Sequence, residues 1–224
     1  MEVNANFSKR VVMHSDEMDW VESPMKGVHR RMLDRIGNEV ARATTIVRYA
    51  PGSHFSPHIH SGGEEFIVLE GVFSDEHGDY PPGSYIRNPP TSRHTPGSEP
   101  GCVIFVKLWQ FDLKDRTSVK IDMNKMGSIP MDGRPGISVM PLFRDDRETV
   151  QLENWSPETD VQLDMPGGAE LLVLSGSLTE GSDELRRHSW LRIPPGGTLS
   201  ARSGQAGAQV WIKTGHLRDI TIPG

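Results

Sequence analysis

GSHFSPHIHSGGEEFIVLEG, from Gly52 to Gly71, decides how the rest of this 224-residue chain is read. His58 and His60 are one residue apart, and Glu64 follows after Ser61, Gly62 and Gly63. Side chains on a β-strand alternate between faces, so a strand over Phe55 to His60 sends both imidazoles to one side. The glycines let the chain turn tightly and bring a carboxylate in beside them. Two nitrogens and one oxygen are most of a coordination sphere for a borderline divalent metal.

Working outward, the chain reads as short strands broken by Gly and Pro. Val40 to Tyr49 alternates, and the set Ala41, Ala43, Thr45, Val47 and Tyr49 is the more apolar, so it is expected to face inward. Glu65 to Leu69, Val72-Phe73 and Ser84 to Arg87 are further strands. Gly101 to Phe111, rich in β-branched and aromatic residues, is a central one. Val11-Val12 and Val28 to Leu33 are read as peripheral strands, and Lys114 to Pro130 as a polar connector. The expectation is all-β, a sandwich or barrel.

The chain then repeats itself. GGEEFIVLEG (Gly62 to Gly71) returns as GGAELLVLSG (Gly167 to Gly176), and SYIRNPP (Ser84 to Pro90) as SWLRIPP (Ser189 to Pro195), both at an offset of 105 residues. GCVIFVK returns one residue later as GAQVWIK, Gly207 to Lys213. A long fixed period means a duplicated unit, so two domains are expected, 1–115 and 116–224. At the same offset His58 becomes Leu163, His60 Met165, Glu64 Ala169 and His94 Leu199, whereas Glu65 is kept as Glu170. The second domain is therefore expected to lack the metal ligands. Glu64, rather than Glu65, is the expected ligand of the first.

Gly52, His58, His60, Glu64 and Gly71 fit the first motif of the cupin family, G-x5-H-x-H-x3-E-x6-G, which this stretch resembles. GDYPPGSYIRNPPTSRHTP, Gly78 to Pro96, looks like the second motif, and that resemblance implies His94 as the remaining ligand. The runs GGEEF, DEHGDYPPG and RNPPTSRH are similar to the cupin domain of ChrR-type anti-sigma factors. The resemblance implies two tandem jelly rolls and one divalent metal ion per chain, held by His58, His60, Glu64 and His94. Zinc or iron is expected first, with nickel, manganese or copper as alternatives. Residues before Gly52 show neither the cysteines nor the helical pattern of an anti-sigma helical domain, so sigma-factor binding is not carried over.

Composition removes other classes. The net charge of −6 gives no basic footprint for nucleic acid, and no apolar run is long enough for a membrane span. Cys102 is the only cysteine, so no internal disulfide forms, and with no signal-like apolar start the expected location is the cytoplasm. Cys102 reads as a small buried hydrophobe. His54 and His77 read as surface or turn histidines, and Arg87, repeated as Arg192, as structural. Arg93 is the arginine expected to meet an anionic substrate, and Phe66, Val68, Tyr85, Phe105 and Trp109 line a cavity or fill the core. Two functions fit: a metal-dependent dioxygenase acting on a small chelating organic molecule, or a non-catalytic metal-dependent sensor of the ChrR type. The expected partners are a small-molecule ligand and a second copy of the chain as a homodimer.

Overall fold

In the computed structural model, which describes residues 1–223, the chain forms two compact all-β units. Gly224, the last residue of the second expected domain, lies outside the described residues. The first unit comprises Met1–Ala5, Asp19–Lys125 and the segment from Thr221; the second comprises Asn6–Met18 and Met126–Ile220. These bounds differ from a division after residue 115 in two places. Val119–Asp122, inside the expected connector, pairs with Ser84–Asn88 and so closes one edge of the first unit's main sheet. Val11–His14 pairs with Ser189–Ile193, which makes it an edge strand of the second unit. Both are short edge strands, whose pairing depends on a distant partner that local alternation does not reveal.

The first unit's main sheet runs Glu2–Val3, Val28–Gly37, Ala41–Tyr49, Cys102–Leu108, Glu64–Gly71, Ser84–Asn88, Val119–Asp122. The apolar Cys102–Leu108 lies at its centre, as its composition requires. Short strands Ser53–His54, Phe73–Asp75, Gly78–Tyr80 and Gly97–Ser98 form a second sheet, and His58–Ile59 pairs with Arg93–His94. This is a jelly roll, with Val47, Phe66, Val68, Phe73, Ile86, Ile104 and Val106 in its core. Ala41, Thr45, Val47 and Tyr49 do face the interior of the roll, where they line a cavity.

The second unit repeats this register. Val68 lies opposite Ile104, and Val173 opposite Val210. Tyr85 lies opposite Ile67, and Trp190 opposite Leu172. His94 lies opposite His58, and Leu199 opposite Leu163. The duplication seen in the letters is a duplication of hydrogen-bond pairing. Met165, Ala169 and Leu199 are buried in one apolar cluster, with Leu163 packed against it. The second unit thus fills with hydrocarbon the place where the first unit gathers its donors.

Two glycines position the site. A Cβ on Gly62 would stand 2.2 Å from the Trp109 ring, and one on Gly63, whose φ is +78°, 2.4 Å from Phe111. The aromatic side chains press onto bare backbone there and fix the turn that delivers Glu64.

Candidate metal centre

Pro57, which has no N–H to donate, keeps the expected strand Phe55–His60 short, and only His58–Ile59 is paired. The Thr91 N–H donates to the His60 carbonyl at 3.0 Å and the His60 N–H to the Ser92 carbonyl at 2.9 Å, so extended pairing continues past the strand end. Alternation holds as expected. His58 and His60 turn the same way, while Ile59 between them is 63% exposed. His94, directly opposite His58, adds the third ring. Glu64 opens the next strand and points inward; Glu65 points to the other face, where its Oε1 accepts from the Tyr85 hydroxyl at 2.5 Å. Its counterpart Glu170 accepts from Trp190 Nε1 at 3.2 Å, so the shared structural role expected for this glutamate is present in both units.

One donor atom from each of His58, His60, Glu64 and His94 lies within 4.8 Å of all the others. Among the described residues this is the one group of three or more His, Cys, Asp or Glu with such a geometry. His60 Nε2 is 3.2 Å from His58 Nε2 and 3.3 Å from Glu64 Oε2; His94 Nε2 is 3.7 Å from the same oxygen. Metal–ligand bonds of about 2.0–2.2 Å place adjacent donors roughly 3–3.5 Å apart, so these separations fit a single ion.

The far side of each ring is held as well. His58 Nδ1 donates to the Ser56 carbonyl at 3.3 Å, and His94 Nδ1 donates to Asp75 Oδ2 at 3.3 Å. His60 Nδ1 lies 3.0 Å from Ser92 Oγ. A proton on Nδ1 leaves Nε2 with a bare lone pair, so at least two imidazole lone pairs and a carboxylate converge on one point. Such convergence is repulsive unless a cation sits at its centre, and the donor set therefore fits a divalent ion. Asn88 Nδ2 donates to Glu64 Oε2 at 3.1 Å and orients the carboxylate.

Burial holds the His60 pKa below the ordinary histidine value, with Glu64 opposing and the two other rings adding to the depression. At His94 burial also disfavours the charge, but the Asp75 hydrogen bond and the Glu64 and Asp75 charges outweigh it and leave the pKa raised. Burial pushes the Cys102 thiol up to about 11, which leaves it protonated and unsuited to nucleophilic work.

A cavity of about 500 Å³ opens on the cluster. It is lined by His58, His60 and Glu64, by apolar side chains such as Val47, Ile104, Val106 and Trp109, and by Tyr49, Arg30 and Arg35. Burial, and then the Glu64 charge, raise the Tyr49 phenol well above its usual range, so it is a neutral hydroxyl. Arg93 does not line this space. It is exposed and alternates with buried His94, so it faces away. Arg87 is structural, paired with Asp115 and stacked 4.0 Å over Phe111. His54 lies on the exposed rim, 3.8 Å from Glu99. Of the expected cavity aromatics only Trp109 lines it; Phe66 and Val68 are core, and Tyr85 and Phe105 lie on the sheet's other face.

The sequence reading missed the supports: Asp75, Ser92, Asn88, Arg30 and Arg35. Two of them carried a signal. At the repeat offset Asn88 becomes Ile193 and Ser92 becomes Gly197, so both are lost together with the ligands they hold. Asp75 becomes Glu180, which keeps a carboxylate and gives no such contrast.

Residues 8–112 match the family model of the ChrR cupin-like domain. No curated protein matches by sequence. Among solved structures, a candidate dioxygenase from Nostoc punctiforme is similar at TM-score 0.79 and 15% identity, covering 97% of this chain and 87% of that one. A candidate glyoxylate-induced protein from Pseudomonas aeruginosa gives TM-score 0.74 and 14% identity, with 96% and 91% covered. The pirin YhhW of Escherichia coli, solved with nickel(II), gives TM-score 0.64 and 13% identity, with 92% and 98% covered. At these identities the likeness speaks for the fold alone. By fold the chain resembles cupins of two jelly rolls, and its residues 8–112 match the ChrR cupin-like domain.

Proposed function

We propose that the first unit is a mononuclear metal centre acting as a dioxygenase-type enzyme on a small organic molecule that chelates the ion through oxygen. The observation that carries this reading is the cavity of about 500 Å³ reaching His58, His60 and Glu64, which is room for a ligand beside the donors. Iron, nickel, copper or manganese would supply redox and Lewis-acid chemistry there, and zinc Lewis acidity alone.

The chain's own residues set the conditions. His58, His60, Glu64 and His94 would hold the ion, and Glu64 would leave a divalent centre with a net charge of about +1. Asp75 and Ser92 fix the rings that present Nε2. Val47, Ile104, Val106 and Trp109 exclude water and lower the local dielectric. Tyr49 is a neutral hydroxyl on the cavity wall, able to donate to an oxygen of the substrate. The chain is to be reloaded with iron(II) and screened for oxygen uptake with diketones and hydroxyketones. Uptake that disappears in His60→Ala supports the reading, and no uptake with any of them counts against it.

The ChrR cupin-like match favours a second reading, a metal-dependent sensor without turnover. It requires a metal-linked change in shape, read by small-angle scattering or hydrogen exchange with and without the ion.

A further inference from the structure

The cavity above the metal centre is lined by two cations that have no ion-pair partner among the described residues. Arg30 and Arg35 both line it, and both also line a neighbouring cavity of about 470 Å³ that meets it at this point. Neither forms an ion pair among the described residues. Arg30 donates to Ser23 Oγ, and Arg35 donates to the backbone carbonyls of Gly37, at 3.2 Å, and of Asn38. Glu39 lines the same rim but is exposed and out of ion-pair reach of both. Arg35 is only 5% exposed. Burial disfavours the charge on both guanidinium groups, and at Arg35 the charge of Arg30 adds to this. Two like charges held together in a partly desolvated wall are costly unless something negative joins them.

The second unit offers a comparison. Its cavity, about 490 Å³, is lined by Arg134, Arg144, Arg147 and Arg218. Of these, half-buried Arg134 is received by Glu153 in a two-pronged pair at 2.7 and 2.8 Å. Glu153 lies opposite Val139 and Val210. The register position that corresponds in the first unit is Val47, opposite Arg30 and Ile104. Where the second unit gives Arg134 a carboxylate partner, the first unit puts a valine at the corresponding register position.

The register also sets the size of what fits. Arg35, Ala43, Leu108 and Glu64 form one row across the sheet. Three inter-strand steps separate the ends by roughly 14 Å between Cα atoms, which leaves room for a short chain between the donors and the arginines.

Resting on the reading of the cluster as a metal centre, we propose that its substrate is a small organic anion with two ends. An oxygen-bearing head faces His58, His60, Glu64 and His94, and a tail carboxylate is held by Arg30 and Arg35. A guanidinium fork suits a carboxylate in two-point contact, which a neutral diketone cannot use.

The test uses the full chain loaded with zinc, which supports no redox turnover. Calorimetry compares 2-hydroxyglutarate with 2-hydroxypentanoate, which share a chelating head and chain length and differ in the tail charge. The diacid is expected to bind about ten- to a hundredfold more tightly, the span that a hydrogen bond between charged groups commands. Arg30→Met is expected to erase that preference while zinc content and circular dichroism stay unchanged, and Arg30→Lys to keep part of it. Equal affinity of the two ligands in the unaltered chain, no binding of either at millimolar concentration, or a preference that survives in both Arg30→Met and Arg35→Met would overturn the proposal. If the chain takes up no zinc, the metal reading fails instead, and the same two ligands on metal-free protein then decide the arginine claim by itself.

Discussion

Replacing Asp75 by asparagine should weaken metal binding without touching a ligand. Asp75 Oδ2 accepts from His94 Nδ1 at 3.3 Å, while Oδ1 accepts from the Tyr80 hydroxyl at 3.1 Å and the His77 N–H at 2.8 Å. Those bonds and the nearby Lys120 hold its pKa down despite burial, so the group is a carboxylate at neutral pH. The contact, the width of the ring and a metal–nitrogen bond of about 2.1 Å put the carboxylate roughly 7 Å from an ion at Nε2. Binding adds two positive charges at that distance, and in an effective dielectric of about 40, between the protein and water limits, they contribute about 2.4 kcal/mol together. That is a loss of about fiftyfold in affinity, inside the 10–100-fold range typical for such supporting groups. The assay is a competitive titration against a chromophoric chelator at pH 8. A change smaller than about twofold in a well-folded variant would refute the carboxylate–histidine–metal arrangement.

Further outcomes are expected. Glu64→Gln should cost most of the metal affinity with little change in melting temperature of the metal-free chain. Glu65→Gln should keep the metal and lose about 1–3 kcal/mol of stability, because it weakens a buried bond from Tyr85; denaturant titration of the metal-free variants separates the two. Metal affinity should fall as pH is lowered, since binding displaces protons. The raised His94 pKa means that the fall begins above the free imidazole value of 6.5, and it can be followed by proton release in buffers of different ionisation enthalpy. In the metal-free chain His94 has the opposite sign. Its raised pKa stabilises the fold at pH below 6.5, and that contribution is lost as pH rises through the folded value. Leu199→Ala, at a site with no exposure, should cost about 2–5 kcal/mol and leave the metal content unchanged, as read by denaturation and elemental analysis.

Much of the architecture was legible because it is written twice. The offset that pairs Gly62 with Gly167 also pairs Val68 with Val173 in the sheet, and the loss of four donors at that offset marked the same four residues that the fold brings together. Alternation sufficed to separate Glu64 from Glu65, and His58 and His60 from Ile59, because parity is a local property of a strand. Pairing partners were not local. Nothing in Val119–Asp122 or Val11–His14 states which distant edge each will join, and so the domain bounds shifted. Arg93 is the expected arginine only because Arg87 is repeated as Arg192. Its place beside His94 on a strand sends it to the opposite side, whereas Arg30 and Arg35 reach the cavity from a strand that precedes the ligand His58 by twenty to thirty residues. The bulge between Met32 and Asp34 is what lets both face inward in spite of their odd separation, and it left no mark in the alternation pattern.

The central claim is that one divalent ion binds to the first unit and none to the second. Elemental analysis of the chain purified without added metal, then saturated with zinc and desalted, tests it most directly. The account predicts close to one equivalent per chain, none in His60→Ala, and no change in Met165→Ala. Two equivalents per chain, or a full equivalent retained in His60→Ala, would contradict it.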